Sequence, residues 1–248
     1  VKHRGLASVG VAGLLVCALQ VACETGWLKQ SVVIAPSEMV VCLCQILHSG
    51  TFTHAILLTL GNVAIAAALA TIGGFLVGVL IHAVPFLRSG IEPYLASYYA
   101  VPTFMFYPVF IVLLGVGSAA IIAIAVLLAI VAMITATLNG LDSIPLVFDK
   151  TARVMRLSPL QRAVLVQLPA AAPYLFTGAR LAVAYGFIGV IASEFILSGD
   201  GLGYAIAYAY NDFDNRTMYA LMLLIIIVVT VVNTTLDLLD RRLHATRA

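Results

Sequence analysis

Gly140–Pro173, GLDSIPLVFDKTARVMRLSPLQRAVLVQLPAAAP, is the longest polar interruption in a sequence that is otherwise almost continuous hydrocarbon. It carries Lys150, Arg153, Arg156 and Arg162, four of the chain's 13 Lys and Arg. The run from Asp149 to Arg156 reads as a short helix, Ser158-Pro159 as a turn with a helix restart, and Leu168-Pro169 as a helix stop, because proline lacks an N–H and crowds the preceding turn. Two short helices between apolar spans form a surface that a soluble partner can grip. The plainer alternative is an ordinary solvated loop.

Outside this stretch, composition decides the class. The chain has 248 residues, 62% of them hydrophobic and 10% charged, with a mean hydropathy of +1.10. Too little polar surface is available to cover a core, which excludes a soluble globular fold. The net charge of +2 says less than its distribution. Cys17, Cys23, Cys42 and Cys44 form neither a disulfide framework nor a zinc pattern and read as small hydrophobes. His3, His48, His54, His82 and His244 fall at span ends and loops without metal-ligand spacing.

Six apolar spans emerge from the pattern, making an all-α membrane protein of one domain, residues 1–248, with the loop at about 141–170 between spans four and five. Span one is Leu6 to Cys23. A signal peptide is the alternative there, since Gln20-Val21-Ala22-Cys23 resembles a cleavage site, but the chain beyond Cys23 is itself polytopic. Ser37 to Leu47 reads as a short helix along the membrane surface. Span two, Thr53 to Val84, exceeds the roughly 20 residues needed to cross. Its Gly61, Ala64, Ala68, Gly73, Gly74 and Gly78 permit close helix approach. Span three, Glu92 to Leu114, contains Pro93, Pro102 and Pro108 among Tyr98, Tyr99, Phe104, Met105, Phe106 and Tyr107. Backbone freed by prolines survives at membrane depth only against protein or a water-lined cavity. That makes Tyr98 to Pro108 the candidate lining of a pathway; a kinked helix with an interfacial aromatic belt is the alternative. Spans four, five and six are Ser118 to Leu138, about Tyr174 to Leu197, and Met218 to Leu236.

With both termini inside, the inner side holds Lys2, Arg4, Arg88, Lys150, Arg153, Arg156, Arg162, Arg241, Arg242 and Arg247, with Arg180 near that edge. Only Lys29 and Arg216 fall outside. By the positive-inside rule the central loop is cytoplasmic.

The loop resembles the EAA loop of permease subunits in ATP-binding-cassette importers. The matching run is Lys150-Thr151-Ala152, Arg153-Val154-Met155, Arg156, then Ser158 and Leu168-Pro169. Lys150 stands where that pattern has an acid, and Arg156 where it has glycine, a residue suited to a backbone that must turn or be approached closely. Three further stretches make the chain similar to the nitrate/sulfonate/taurine-type permeases: Ile34-Ala35-Pro36-Ser37, Pro102-x5-Pro108 with Gly115-Val116-Gly117, and Ala192-Ser193-Glu194 running into Gly201-Leu202-Gly203-Tyr204. The chain departs from that group at Val131-Ala132 and Ala136-Thr137, and at Asn62, where an arginine is common.

The resemblance implies a type I importer permease in a bacterial inner membrane. It implies a second copy of the permease, two cytoplasmic ATP-binding subunits and an extracytoplasmic solute-binding protein. ATP and Mg would be used by the ATP-binding subunits, with no cofactor on this chain, which has no Walker-type loop. Docking would fall on Asp149, Lys150, Thr151, Ala152, Arg153, Arg156, Ser158, Leu168 and Pro169. The implied solute is a small anion such as a sulfonate, taurine or nitrate, with a small heterocyclic vitamin precursor as the alternative. Basic residues form no stripe that would bind nucleic acid.

Glu194 lies fourteen residues beyond Arg180, roughly 21 Å further out at ~1.5 Å per residue. That is the outer third of the bilayer core, where a carboxylate is a functional candidate. With Ser193 it is assigned to a gate, the rival being a structural acid near the Gly201 turn. An anionic solute would not take Glu194 as a direct ligand, which favours the gate or structural role. An ion-coupled carrier is the competing function, but apart from Glu194 the span centres hold no ionisable group. Finally, Ala182, Gly186 and Gly189 of span five are expected to pack against a second copy.

Overall fold

A computed structural model describes residues 2–27 and 33–245; Lys29 and Arg247 lie outside it, as do the side chains of Lys2, Arg4, Asp149, Arg241 and Arg242. The described residues are helical, with no strand among them. In chain order the α-helices are α1 (Lys2–Glu24), α2 (Pro36–Ser49), α3 (Thr53–Ala83), α4 (Pro85–Ser97), α5 (Tyr107–Leu114), α6 (Ser118–Asp142), α7 (Leu146–Val154), α8 (Pro159–Arg162), α9 (Leu168–Leu197), α10 (Leu202–Asn211) and α11 (Asn215–Ala245).

Four helical stretches are long and apolar enough to cross a membrane: α3, α6, the run Pro159–Leu197, and Asn215–Asp240 within α11. A fifth candidate crossing is a broken one. Pro85–Ala100 and Thr103–Leu114 bend by 96° about Val101-Pro102, where proline interrupts the backbone ladder as its sequence position requires. α1 occupies the place of the first expected span, with Gly13–Glu24 as its described apolar part.

The core is the packing of α3, α6 and α9. Lipid tails are as apolar as leucine, so helices in a bilayer gain by approaching closely over small residues. Ala66 and Ala70 of α3, Ala125 and Ala129 of α6, and Ala182 of α9 are completely buried. A Cβ at Gly74 would lie 2.7 Å from the Met133 Cβ, and one at Gly189 only 2.6 Å from the Ala125 Cα. These contacts correct one expectation: Ala182, Gly186 and Gly189 are consumed inside the protomer and are not available to a second copy. Leu57, Leu69, Ile72, Leu76 and Leu80 of α3 remain exposed, as a lipid-facing stripe should be.

Leu168-Pro169 does not stop the chain, contrary to the sequence reading. A π-helical turn, Ala163–Gln167, precedes it and Pro169 enters the first turn of α9. The wider turn makes room for the proline ring, whose missing N–H would leave a gap in a regular ladder. The run Pro159–Leu197 is therefore one 39-residue helix. At the end carrying α7, Arg88 forms a two-pronged ion pair with Asp142, at 2.7 and 2.5 Å, fastening α4 to α6. Arg180 pairs with Asp237, joining α9 to α11.

Candidate functional site

Three places gather the sequence-designated residues. The first is the α7–α8 loop. α7 begins at Leu146, three residues earlier than the sequence suggested, and ends with Arg156 in the left-handed region at φ 52°. Leu157 N–H donates to the Ala152 carbonyl (3.1 Å) and Arg156 N–H to that of Arg153 (3.0 Å), the paired bonds of a Schellman ending. A glycine would take this conformation without strain, so the backbone keeps the shape while the residue does not match it. α8 starts on a full capping box. Ser158 Oγ accepts from Gln161 N–H, and Gln161 Oε1 accepts from Ser158 N–H at 2.9 Å. Ala152 faces inward and is buried, whereas Val154 and Leu160 are 83% and 74% exposed. Lys150, Thr151, Arg153 and Arg156 are exposed beside them. Exposed apolar and basic side chains thus share this loop.

The second place is the buried network around Glu194, whose side chain has no exposure at all. Thr59 Oγ1 donates to Oε2 (2.7 Å), Gly203 N–H donates to Oε2 (3.1 Å), and Asn62 Nδ2 donates to Oε1 at 3.4 Å. Thr59 Oγ1 also accepts the Leu202 N–H at 2.8 Å. The carboxylate thus binds α3, α9 and the N-terminus of α10, where free N–H groups favour negative charge. Gly201, at φ 100°, brings the backbone so near that a Cβ there would sit 2.4 Å from the Glu194 Cδ. Ser193 is equally buried and its hydroxyl has no partner among the described residues. Sequence reasoning located Glu194 but missed Thr59, and it noted Asn62 only as a missing arginine.

The third place is a cavity of about 450 Å³ between α6, α9 and the broken crossing. Tyr99, Tyr174 and Tyr185 line it together with Thr135, Asn139 and Thr177. Tyr99 and Tyr185 stack, with ring centroids 5.3 Å apart and planes inclined by 25°. Tyr98 fixes the broken segment by donating its hydroxyl to the Leu127 carbonyl at 2.9 Å. Of the aromatic run proposed as a pathway, Tyr99 alone is among the lining residues. Tyr107 is instead buried in the core, its hydroxyl donating to the Leu197 carbonyl, and Phe104 packs beside it. Met105 and Phe106 are exposed elsewhere, and Pro102 and Pro108 shape the bend and the start of α5. Thr135, Asn139 and Thr177 were missed, although Thr135 and Asn139 stand one helical turn apart on one face of a largely apolar span.

Comparison with known proteins agrees with this architecture. The chain is similar to the inward-facing MetNI methionine ABC transporter, with a TM-score of 0.68 at 22% identity, over 77% of this chain and 95% of that one. It is 31% identical to the nitrate import permease protein NrtB of Synechococcus elongatus over 156 residues, 63% of this chain and 56% of that protein. The bicarbonate transport system permease protein CmpB of Synechocystis matches at 31% identity with the same coverage. The chain thus spans little more than half the length of these cyanobacterial relatives. A probable ABC transporter permease protein of Haemophilus influenzae is 27% identical over 91% of both chains. The model of the binding-protein-dependent transport system inner membrane component matches residues 70–246, across α6, α9, α11 and the α7–α8 loop. The chain therefore belongs to the family of binding-protein-dependent transport system inner membrane components, the permease subunits of ATP-binding-cassette importers.

Proposed function

We propose that this chain forms the translocation path for a small solute that an extracytoplasmic binding protein delivers. Two copies stand side by side, and two ATP-binding subunits dock on their α7–α8 loops at the cytoplasmic face. The observation that carries this reading is the exposed patch of Val154 and Leu160 rimmed by Lys150, Arg153 and Arg156, held by a Schellman ending and a capping box. ATP and Mg belong to the docked subunits.

The continuous helix Pro159–Leu197 supplies the mechanism. It begins in the docking loop and carries Glu194 near its far end, so movement of α8 is transmitted to the junction of α3, α9 and α10. Closure of the ATP-binding pair presses the two loops together and rocks each bundle as a body, opening the path alternately to either side. The Glu194 network serves as the outer latch. Relatives named for nitrate and bicarbonate speak for a small anion. The uncharged cavity lining speaks for a neutral ring.

The test is co-reconstitution with the ATP-binding subunit. Ala152→Pro, which breaks α7 at a buried position, and Arg153→Glu should each abolish solute-stimulated ATP hydrolysis while the chain still inserts in the membrane. Full coupled hydrolysis in both variants would overturn the docking assignment.

A further inference from the structure

α11 packs on α3 and α9 through Val228, Val229 and Val232, which lie against the buried cluster of Val63, Ala66, Phe187 and Val190. One helical turn further along α11, at Leu236, the three helices part around a cavity of about 270 Å³. Its walls are apolar, Ala67, Ala68 and Ile72 from α3 and Phe176, Ala179 and Val183 from α9. Of the described lining residues only Arg180 is charged. Ala68 and Ile72 are exposed, so the cavity opens sideways from the bundle.

Its depth follows from the lengths of three helices. Thr53 of α3, Leu197 of α9 and Asn215 of α11 stand at one end of the bundle, where Ala55, Leu202 and Leu221 pack together. Ile72, Arg180 and Asp237 lie nineteen, seventeen and twenty-two residues from those ends. At ~1.5 Å per residue the distances are roughly 25 to 33 Å. The three helices thus agree on one level, and a hydrocarbon core is about 30 Å thick. The cavity mouth sits at the headgroup boundary on the side of the docking loop, with Ala67 and Val183 reaching toward the core.

We propose that this cavity seats one acyl chain of a phospholipid, and that the Arg180–Asp237 pair at its rim selects a headgroup joining a phosphate to a primary ammonium, as in phosphatidylethanolamine. The pair offers both signs of charge. Arg180 donates one N–H to Asp237, and the rest of its fork is free in geometry to meet a phosphate. Asp237 retains a second carboxylate oxygen for an ammonium N–H. Both side chains are 42% exposed, so a headgroup can reach them. Thr71 adds a hydroxyl to the lining for an ester oxygen. A headgroup with a phosphate alone, as in phosphatidylglycerol, would set its negative charge beside Asp237 with nothing to offset it. Choline carries the positive charge but has no N–H to donate. A second copy of the chain seated here would bury both charges away from water and headgroups. A lipid in this place braces α11 against α9, the helix that joins the docking loop to Glu194.

The experiment is native mass spectrometry of the full chain in mild detergent, titrated with phosphatidylethanolamine, phosphatidylcholine and phosphatidylglycerol of identical acyl chains. One phosphatidylethanolamine per chain should bind saturably, and the other two about ten-fold more weakly, as loss of a charge-assisted hydrogen bond implies. Asp237→Asn should erase most of the preference for the primary amine over choline. Arg180→Gln should weaken all three lipids about ten-fold. Ala68→Phe fills the cavity from an exposed position without touching the pair, and should weaken phosphatidylethanolamine about five-fold in a chain that still folds. Equal retention of the three lipids, tighter binding of phosphatidylglycerol, or binding that ignores Ala68→Phe overturns the inference. If Ala68→Phe alters association between chains and leaves lipid retention unchanged, the cavity belongs to a second copy and the inference is equally overturned. Where Arg180→Gln or Asp237→Asn fails to fold, the three-lipid comparison on the parent chain and the Ala68→Phe variant decide the matter by themselves.

Discussion

Thr59 and Glu194, 135 positions apart in the chain, meet at 2.7 Å in the interior, where the Thr59 hydroxyl donates to the carboxylate and accepts the Leu202 N–H in the same place. One side-chain oxygen therefore joins three helices. Thr59→Val keeps the shape and removes both bonds, stranding the buried Leu202 N–H and leaving Glu194 Oε2 only the Gly203 N–H. The expected cost is about 2 kcal/mol, read as a lower unfolding temperature in detergent. Thr59→Ser should stay close to the parent protein. Equal behaviour of the two variants would show that the hydroxyl contributes nothing.

Arg156 is a side chain in a glycine's conformation. Arg156→Gly should raise stability by about 1 kcal/mol by relieving the left-handed backbone. If Arg156 and Lys150 pair with an acidic groove on the ATP-binding subunit, Arg156→Gly with Lys150→Glu will weaken that complex at low salt and far less at high salt. Titrating the complex at two ionic strengths separates the two effects, and an affinity unchanged at both denies the charge pairing.

Ser158→Ala removes the cap of α8 and half of its capping box. A loss of about 1 kcal/mol is expected, falling on the segment that joins the docking surface to the long helix. Coupled ATP hydrolysis should drop while basal hydrolysis holds, and Ser158→Asp should restore it. Failure of aspartate to rescue would point away from capping.

The cysteines of α2 report which side that helix occupies. Cys44 is exposed, whereas Cys42 is half-buried, and burial, with the nearby Asp214 adding to it, pushes its thiol above the usual range. Its reactive thiolate is correspondingly scarcer at a given pH. A membrane-impermeant maleimide applied to intact cells at pH 8 should label Cys44 first and Cys42 slowly. Labelling that requires opened cells would reverse the proposed orientation.

The helices and several span limits were legible in the sequence because each turns on local composition: unbroken apolar runs, prolines at 102 and 108, and the turn with a helix restart at Ser158-Pro159. The position of Glu194 near the far end of span five came from counting residues. Its partners did not, since Thr59 and Asn62 belong to a helix more than 130 residues away and their meeting is a property of packing. The small residues of span five misled for the same reason. Composition shows that Gly189 permits close approach, but only the assembled bundle shows that Ala125 is the neighbour. Pro169 was read as a stop because a local rule cannot see the π-helical turn that relieves it.

That wide turn lies between the α7–α8 loop and Glu194 on one continuous helix, so it helps set the azimuth of one relative to the other. Thirty-five residues of one helix separate Pro159 from Glu194, roughly 50 Å at ~1.5 Å per residue. Inserting a single residue anywhere along it would rotate Glu194 about 100° away from Thr59, however conservative its chemistry. Seven inserted residues would bring the two back within about 20°, though at the wrong height. Between these two positions the chain tolerates changes of letter far better than changes of length.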